Sequence, residues 1–400
     1  MKPIALVIPW YGDDIKGGAE QECNYLAHSL KNAGAKVEVF TTCVKEASAD
    51  RSVNTMSEGE FVESGILVRR FKVRERNLEK FIPANFKIYH GNSVSVEEEK
   101  IYFAEDINSP DMYNYIRDNK DNYKCFIFIP YMYGPSYNGS KECPDNCIMI
   151  PCLHDESYAY MRLTKEMAER MKGIIFHAEP EQILAQKLFD ITNIPNAVLG
   201  EGVDTDWCTQ CDGARFRKKY GINNPFILFA GRKDSGKKAD QLLEFFCKYV
   251  EINSHRNVDL VFLGGGSLDI PVAYADRVHD LGFVSVEDKH DAFAAAAFLC
   301  NPSYFESFSL VVMESWLAKR PVLVSEHCAV TTNFCLKTNG GLYFKDFATF
   351  AGTVDFLLDN EHIAKRMGEN GFEYVMNNFT HEIIAQRYLE FIEVCLGKEK

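Results

Sequence analysis

Three features of the sequence predict an α/β fold built as two doubly wound halves. Apolar runs of about four to seven residues alternate with stretches of helical spacing along almost the whole chain, the pattern of parallel sheets flanked by helices. The runs fall into two sets separated by a polar stretch, EGVDTDWCTQCDGARFRKKYGINNP, which ends in the turn formers Gly221, Asn223, Asn224 and Pro225. A length of 400 residues with 46% apolar content is enough for two cores.

The strand-like runs of the first half are residues 4–9, 37–41, 66–71, 125–130, 147–152, 173–176 and 197–199. Those of the second half are 226–230, 258–263, 297–300, 321–325 and 341–344. The predicted domains are 1–203 and 204–379, with a linker near 203–222 and a final helical segment, 380–400. On that segment Ile384, Tyr388, Phe391, Ile392 and Cys395 form one apolar stripe, which must pack on another element. Doubly wound sheets bind ligands at the carboxyl ends of their strands, so two such domains facing each other are expected to share a cleft. Residues 72–110 break the pattern, being charged and aromatic without regular periodicity. There RRFKVRERNLEK sets Arg69, Arg70, Lys72, Arg74, Arg76 and Lys80 against Glu75 and Glu79. This reads either as a surface for an anionic acceptor or lipid headgroups, or as a solvated edge strand and loop.

Composition narrows the function class. No run of about 18 apolar residues occurs, and MKPIALVIPWYGDD reads as a short strand without a charged leader or cleavage site, so a cytoplasmic product is expected. Thirteen cysteines, scattered through apolar stretches such as those around Cys125 and Cys300, suit reduced core thiols better than a disulfide frame. A net charge of -13 argues against nucleic acid as a partner. Cys143, Cys147, Cys152 and His154 cluster in sequence, and Cys208 and Cys211 form a CxxC. Neither group has a second properly spaced pair, and CIMIPC reads as a buried strand, so no metal site is expected.

Chemistry concentrates in two places. In FILFAGRKDSGKKADQLL, Gly231, Gly236 and Lys237 spell GxxxxGK between a strand and a helix whose first N–H groups lie free. Lys238 stands where a triphosphatase has the hydroxyl that holds Mg2+, and an ammonium cannot ligate a cation. What remains is Arg232 and Lys237, two cations able to neutralise a diphosphate without an ion; the alternative is a solvated basic turn. FLGGGSLDI lacks the G-x-G-x-x-G spacing of a dinucleotide site.

The second place is YFESFSLVVMESW. Glu306 and Glu314 stand eight apart, and a helix beginning near Ser309 would direct the N–H groups of about residues 308–311 at a hydroxyl or phosphate. Glu314 lies deeper, placed to accept two hydrogen bonds from a diol such as ribose. Paired carboxylates also occur in glycoside hydrolysis, but these two share one helix start, a poor geometry for flanking a scissile bond. His154 follows a strand; taken alone, such a histidine is more often a satisfied surface or core group.

E-x7-E after a strand, with AGRKDSGKK about seventy residues earlier, resembles the retaining glycosyltransferases of family 4, which have the two-domain GT-B fold. PWYGDDIKGGAEQECNYLAHSLKNAGAKVEVFTT looks like the family's first strand, glycine loop and helix, PCLHDE like its histidine segment, LGEGVD like its interdomain segment, and FLGGG and DLGFVS like its nucleotide-side loops. The match extends over nearly the whole chain. The resemblance implies that Arg232 and Lys237 hold the donor diphosphate, Glu306 the transferred sugar, and the backbone of Phe308, Ser309 and Leu310 the sugar and phosphate. It further implies that Glu314 binds ribose, Phe283 and Val284 the nucleotide side, Gly17 and Gly18 the donor phosphate, and that His154 faces the sugar. Asp155 and Glu156 would orient His154 or cap a helix starting near Ser157. The final helix would cross back to the first, acceptor-side domain. Two departures stand out: the usual EGFG reads Glu306, Ser307, Phe308, Ser309, and Lys238 replaces a customary glycine.

The implied activity is metal-independent transfer, with retention, from a UDP- or GDP-sugar to the hydroxyl of a glycan, glycolipid or small molecule, as in polysaccharide or glycoconjugate assembly. No further cofactor is expected, and the basic stretch leaves room for peripheral contact with the inner face of a membrane. The rival readings are a GT-B relative that hydrolyses or epimerises a nucleotide sugar, and a non-catalytic sugar-nucleotide sensor.

Overall fold

The computed structural model describes residues 2–12, 15 and 17–397. The chain divides into two compact units, one formed by residues up to 202 together with those from 381 onward, the other by 203–380.

The first unit runs β1 (Ile4–Val7), α1 (Gly18–Asn32), β2 (Val37–Thr42), β3 (Gly59–Glu63), β4 (Ile66–Phe71), α2 (Leu78–Tyr89), α3 (Val96–Glu105), α4 (Pro110–Asn119), β5 (Cys125–Phe128), α5 (Gly134–Glu142), β6 (Cys147–Met149), α6 (Arg162–Glu169), β7 (Gly173–Phe176), α7 (Glu179–Leu188) and β8 (Asn196–Val198). Its sheet has the order β3-β4-β2-β1-β5-β6-β7-β8, parallel throughout except for the β3–β4 pair. The second unit runs α8 (Gly213–Tyr220), β9 (Phe226–Ala230), α9 (Ala239–Ile252), β10 (Asp259–Leu263), β11 (Val278–Asp280), α10 (Val286–Ala295), β12 (Phe298–Asn301), α11 (Leu310–Leu317), β13 (Val322–Ser325), α12 (Ala329–Thr338), β14 (Gly341–Phe344), α13 (Phe347–Asp359) and α14 (Glu361–Asn378). Its parallel sheet has the order β11-β10-β9-β12-β13-β14. The last helix, α15 (His381–Leu396), belongs to the first unit.

Central strands such as β1, β5, β7, β9 and β12 are buried at every position, which is why they read as unbroken apolar runs rather than alternating ones. Each sheet reverses its winding once, at β1/β5 and at β9/β12. Such switch points open a crevice at the strand ends, because the two adjoining connections leave in opposite directions. The candidate loops after β9 and β12 therefore emerge side by side.

Several local expectations are corrected. The runs ending in Pro9, Pro130 and Cys152 stop early, at Val7, Phe128 and Met149. Two strands escape the apolar-run criterion: β3, a half-exposed edge strand joined to β4 through Ser64 and Gly65, both at positive φ, and the three-residue β11. Residues 72–110 are not irregular. They hold α2, which buries Phe81, Ala84 and Ile88, and α3, which buries Tyr102 and Phe103 behind a capping box of Ser95 and Glu98. The basic stretch is largely neutralised, with Arg69 facing Glu38 and Glu60, Arg70 facing Glu63, Lys72 facing Glu58, Arg74 facing Glu105 and Arg76 facing Asp106. No α-helix starts at Ser157, where a short 3-10 turn forms instead. α6 begins at Arg162 because the buried Glu99 carboxylate accepts the N–H groups of Arg162 and Leu163 at 3.1 and 2.8 Å, satisfying donors left open at a helix start.

α15 packs on α1, burying Ile384, Ala385, Tyr388, Phe391 and Ile392. Ser29 Oγ lies 2.8 Å from His381 Nδ1, the Tyr388 hydroxyl donates to the Gly200 carbonyl at 3.0 Å, and Lys124 pairs with Glu393. Cys395 lies against Gly173, where a Cβ would come within 2.2 Å of its sulfur. Ile384→Ala should therefore cost about 2–5 kcal/mol in the first unit, and a chain cut after Phe379 should strip hydrogen-exchange protection from α1. Protection of α1 unchanged by the cut would contradict the packing described.

Candidate functional site

In the second unit the chain leaves β9 at Gly231 and is held against the loop after β10. Gly231 N–H donates to the Leu263 carbonyl at 2.9 Å and Lys233 N–H to the Gly265 carbonyl at 2.7 Å. Gly264 and Gly266 sit at positive φ, 116° and 93°, and a Cβ on either would come within 3 Å of the Gly231 or Lys233 carbonyl oxygen. The glycines of FLGGG thus serve a backbone-to-backbone approach. Lys233, which the sequence reading passed over, is buried and donates to Asp280 Oδ1 at 2.5 Å at the end of β11. It is a strut between loops, whereas its neighbour Arg232 is exposed, 3.4 Å from Asp234. Lys237 Nζ donates to Glu306 Oε1 at 2.8 Å, so two residues proposed from separate motifs meet.

The loop after β12 is organised by Asn301, also missed in the sequence. Its buried amide donates to Ser309 Oγ at 2.8 Å and to Glu306 Oε1 at 3.3 Å, while its carbonyl oxygen accepts the Ser303 N–H at 3.1 Å. Phe308 is fully buried, edge-on to Phe334 and Phe379, so only its backbone is available to a ligand. Ser309 precedes α11 at φ 75°, and Leu310 opens the helix. Glu314 Oε1 accepts from Lys289 Nζ at 2.6 Å, and among the described residues its buried Oε2 has no hydrogen-bond partner. A buried acceptor left without a donor is costly and is satisfied readily by a ligand hydroxyl. Phe283 is 67% exposed with its ring on Gly265, where a Cβ would meet the ring carbons at 2.9 Å, and Val284 beside it is half-buried.

In the first unit, Gly17 caps α1 in an extended conformation at φ -168°. A Cβ there would collide with the Glu20 carboxylate, 1.9 Å away, which receives the Trp10 indole N–H. Gly18 begins the helix with open space on its side. Residues 13, 14 and 16 of this glycine loop lie outside the described residues. His154 is half-buried with Nδ1 3.5 Å from Glu156 Oε1, while Asp155 accepts from the Tyr160 hydroxyl at 2.6 Å. The loop carrying His154 is tied down by Glu181, whose buried carboxylate accepts the N–H of Leu153 at 2.6 Å and of His177 at 2.7 Å.

Around His177 lies a charged group that no motif announced. Its Nε2 is 2.6 Å from Glu22 Oε1, and Nδ1 is 3.8 Å from Glu181 and 3.7 Å from Glu201. The Cys152 thiol donates to Glu22 Oε2 at 3.4 Å. Glu22, Cys152 and His177 are also, among the described residues, a group whose ligand atoms all lie within 4.8 Å of one another. The carboxylate and imidazole already bond each other directly. Cys143 and Cys147 stand apart from this group as core thiols directed at the carbonyls of Gly139 and Pro144. Burial alone would lower the affinity of His177 for its proton; Glu22 first, then Glu201, override it and push the pKa up to about 10. Burial raises the Cys152 thiol and, despite His177, the Glu181 carboxyl.

These shifts carry a pH signature. Folded His177 keeps its proton to about pH 10 against about 6.5 for an ordinary histidine, so its contribution to stability is full below about 6.5 and is lost as pH rises through 10. His177→Gln should flatten the fall in melting temperature between pH 7 and 10, whatever its effect on the absolute value. An unchanged slope would mean that His177 is not the group that titrates.

Two parallel sheets of this topology, each wound about a switch point, define the GT-B fold. Residues 212–374 match the family model of the glycosyl transferases group 1. The chain is 27% identical over 177 residues to a D-inositol 3-phosphate glycosyltransferase of Corynebacterium efficiens, covering 41% of this chain and 42% of that protein. Over 184 residues it is 25% identical to an alpha-D-kanosaminyltransferase of Streptomyces kanamyceticus, covering 44% and 47%. The chain thus spans less than half the length of these two curated relatives. Among solved structures it is similar to sucrose-phosphate synthase from Thermosynechococcus elongatus, with a TM-score of 0.72 and 16% identity over 100% of both chains. It is likewise similar to the Anabaena protein HepE in complex with UDP-glucose, with a TM-score of 0.72 and 14% identity over 98% of this chain and 100% of that one.

Proposed function

We propose that this protein is a retaining glycosyltransferase moving a sugar from a nucleoside diphosphate, UDP- or GDP-linked, to an acceptor hydroxyl in polysaccharide or glycoconjugate assembly. The observation that carries the reading is the Lys237–Glu306 contact at the β9/β12 switch point, with the start of α11 beside it and a buried Glu314 oxygen lacking a donor. A donor laid there finds Arg232 and Lys237 for its diphosphate, the α11 N-terminus for phosphate or sugar oxygens, Glu306 for the sugar and Glu314 for the ribose diol. Phe283 and Val284 flank the nucleoside side. The roles implied for Gly17, Gly18 and His154 on the first unit belong to the same proposal.

Catalysis in this reading is charge stabilisation. As the bond from the anomeric carbon to phosphate breaks, negative charge grows on the leaving diphosphate, and Lys237 turns from Glu306 toward it. The departing phosphate oxygen takes the acceptor proton on the same face, as the family resemblance implies. Neither glutamate is a nucleophile. Replacing Arg232 or Lys237 with alanine should lower kcat by about 100-fold, about 2.7 kcal/mol of barrier, and activity should persist in EDTA. Full activity in both variants, or loss in chelator restored by Mg2+ or Mn2+, would sink this mechanism. A sugar-nucleotide sensor would bind donor without turnover across acceptors, and a hydrolase would release free sugar.

The acceptor reading extends to a membrane surface on one observation. Leu78, Ile82, Phe86 and Tyr89 form an exposed stripe along α2. An exposed apolar, aromatic stripe suits the interface of a bilayer, and so an acceptor anchored in one. Ile82→Glu with Phe86→Glu should abolish co-sedimentation with phosphatidylglycerol vesicles while leaving the melting temperature unchanged. No sedimentation of the wild type would remove the membrane from the proposal.

A further inference from the structure

Of the departures from the family pattern, Lys238 and Ser309 keep the backbone that glycine would have: both sit in the left-handed region, at φ 56° and 75°. Side chains there strain the backbone, and such strain persists where the surroundings impose it, most often at functional sites. Ser309 has an evident tie in the Asn301 amide at 2.8 Å. Lys238 has a different one. Its ammonium lies over the Tyr304 ring, 4.9 Å from the centroid, and Tyr304 packs on the imidazole of His327 with ring centroids 4.7 Å apart.

The charges of this loop single out Lys238. Arg232 faces Asp234, Lys233 faces Asp280 and Lys237 faces Glu306, whereas among the described residues Lys238 faces no carboxylate. An ammonium over an aromatic face is held in place yet still able to take an anion. The strand order says where that anion sits. β10 and β11, with the glycine loop and Phe283, lie on one side of β9, while Tyr304 follows β12 and His327 follows β13 on the other. Lys238, over Tyr304, thus lies toward the β12 side of β9, away from Phe283 and the side taken for the nucleoside. Glu326, next to His327, is exposed, and Glu306 is engaged by Lys237.

Resting on the donor site proposed above, we infer that Lys238, Tyr304 and His327 form a subsite for a carboxylate on the transferred sugar, so that the donor is a nucleoside-diphosphate hexuronate. The ammonium supplies the charge and the exposed imidazole a hydrogen-bond donor to the second carboxylate oxygen, while Tyr304, whose hydroxyl donates to Gln241 Oε1 at 3.5 Å, holds the ammonium in place.

Matched pairs test this by calorimetric titration: UDP-glucose against UDP-glucuronate and UDP-galacturonate, and GDP-mannose against GDP-mannuronate, with free UDP and GDP as references. Wild type should bind the acidic member of one pair at least about tenfold more tightly. Lys238→Ala and Lys238→Gly should erase that preference while leaving affinity for the free diphosphate within about twofold, the glycine variant with an undiminished melting temperature because it relieves the left-handed strain. A preference for neutral sugars in wild type, or an equal loss for acidic sugar, neutral sugar and free diphosphate, overturns the inference and leaves the donor site standing; the second result makes Lys238 a diphosphate contact. Binding of no nucleotide at all overturns the donor site itself.

Discussion

The pairing of β12 with β9, Phe298 beside Ile227 and Leu299 beside Leu228, is the constraint on which the second unit's site depends. Because β10 occupies the other side of β9, the chain must reverse its winding there, and the connections after β9 and β12 diverge. The gap they leave is where Lys237 reaches Glu306. Were β12 elsewhere in the order, GRKDSGKK and ESFS would be two unrelated turns. Asn301, the last residue of β12, converts this adjacency into a fixed geometry by bonding both Glu306 and Ser309 from a buried position.

Charge balance then distinguishes residues that look alike. Lys233 and Lys237 are lysines on one short loop, each paired with one carboxylate, yet Lys233 is sealed against Asp280 beneath the glycines after β10 while Lys237 stays within reach of solvent. Removing a partner from the first leaves a buried charge uncompensated, which is a stability effect. Exchanging the partner of the second for a phosphate is a binding event. Because Lys237 is paired with Glu306 at rest, a donor diphosphate would exchange one anionic partner of this lysine for another.

Legibility in the sequence followed the same division. Strands buried on both faces announced themselves as apolar runs, and Arg232, Lys237, Glu306 and Glu314 stood out because chemistry at a strand-to-helix turn concentrates charge in a few adjacent positions. What was hidden depends on distance in the chain. The burial of Lys233 is decided by glycines some thirty residues later, the start of α6 by Glu99 more than sixty residues earlier, and the His177 group draws on positions 22, 152, 177, 181 and 201. Edge strand β3 and the three-residue β11 lacked the apolar signature because neither is covered on both faces. In 72–110 the helical spacing of Phe81, Ala84 and Ile88 was present but masked by Pro83 and by charges that find partners only in the folded chain.

In the first unit the buried charges are gathered into one cluster. There the carboxylates of Glu22, Glu181 and Glu201 converge on one imidazole rather than on separate cations, with exposures of 3, 1 and 7%. Burial in so dry a setting raises the Glu181 carboxyl even beside the His177 imidazole. The arrangement persists because each group also holds backbone or a helix. Glu181 fixes the strand-end loops that carry His154 and His177, Glu22 brings in α1, and α15 closes over α1 with Tyr388 bonded to Gly200, the residue before Glu201. A helix from the far end of the sequence thus completes the environment of a loop near position 154. The apolar stripe of α15 and the proton on His177 are two parts of one requirement, that the carboxyl ends of β6 and β7 be held without water.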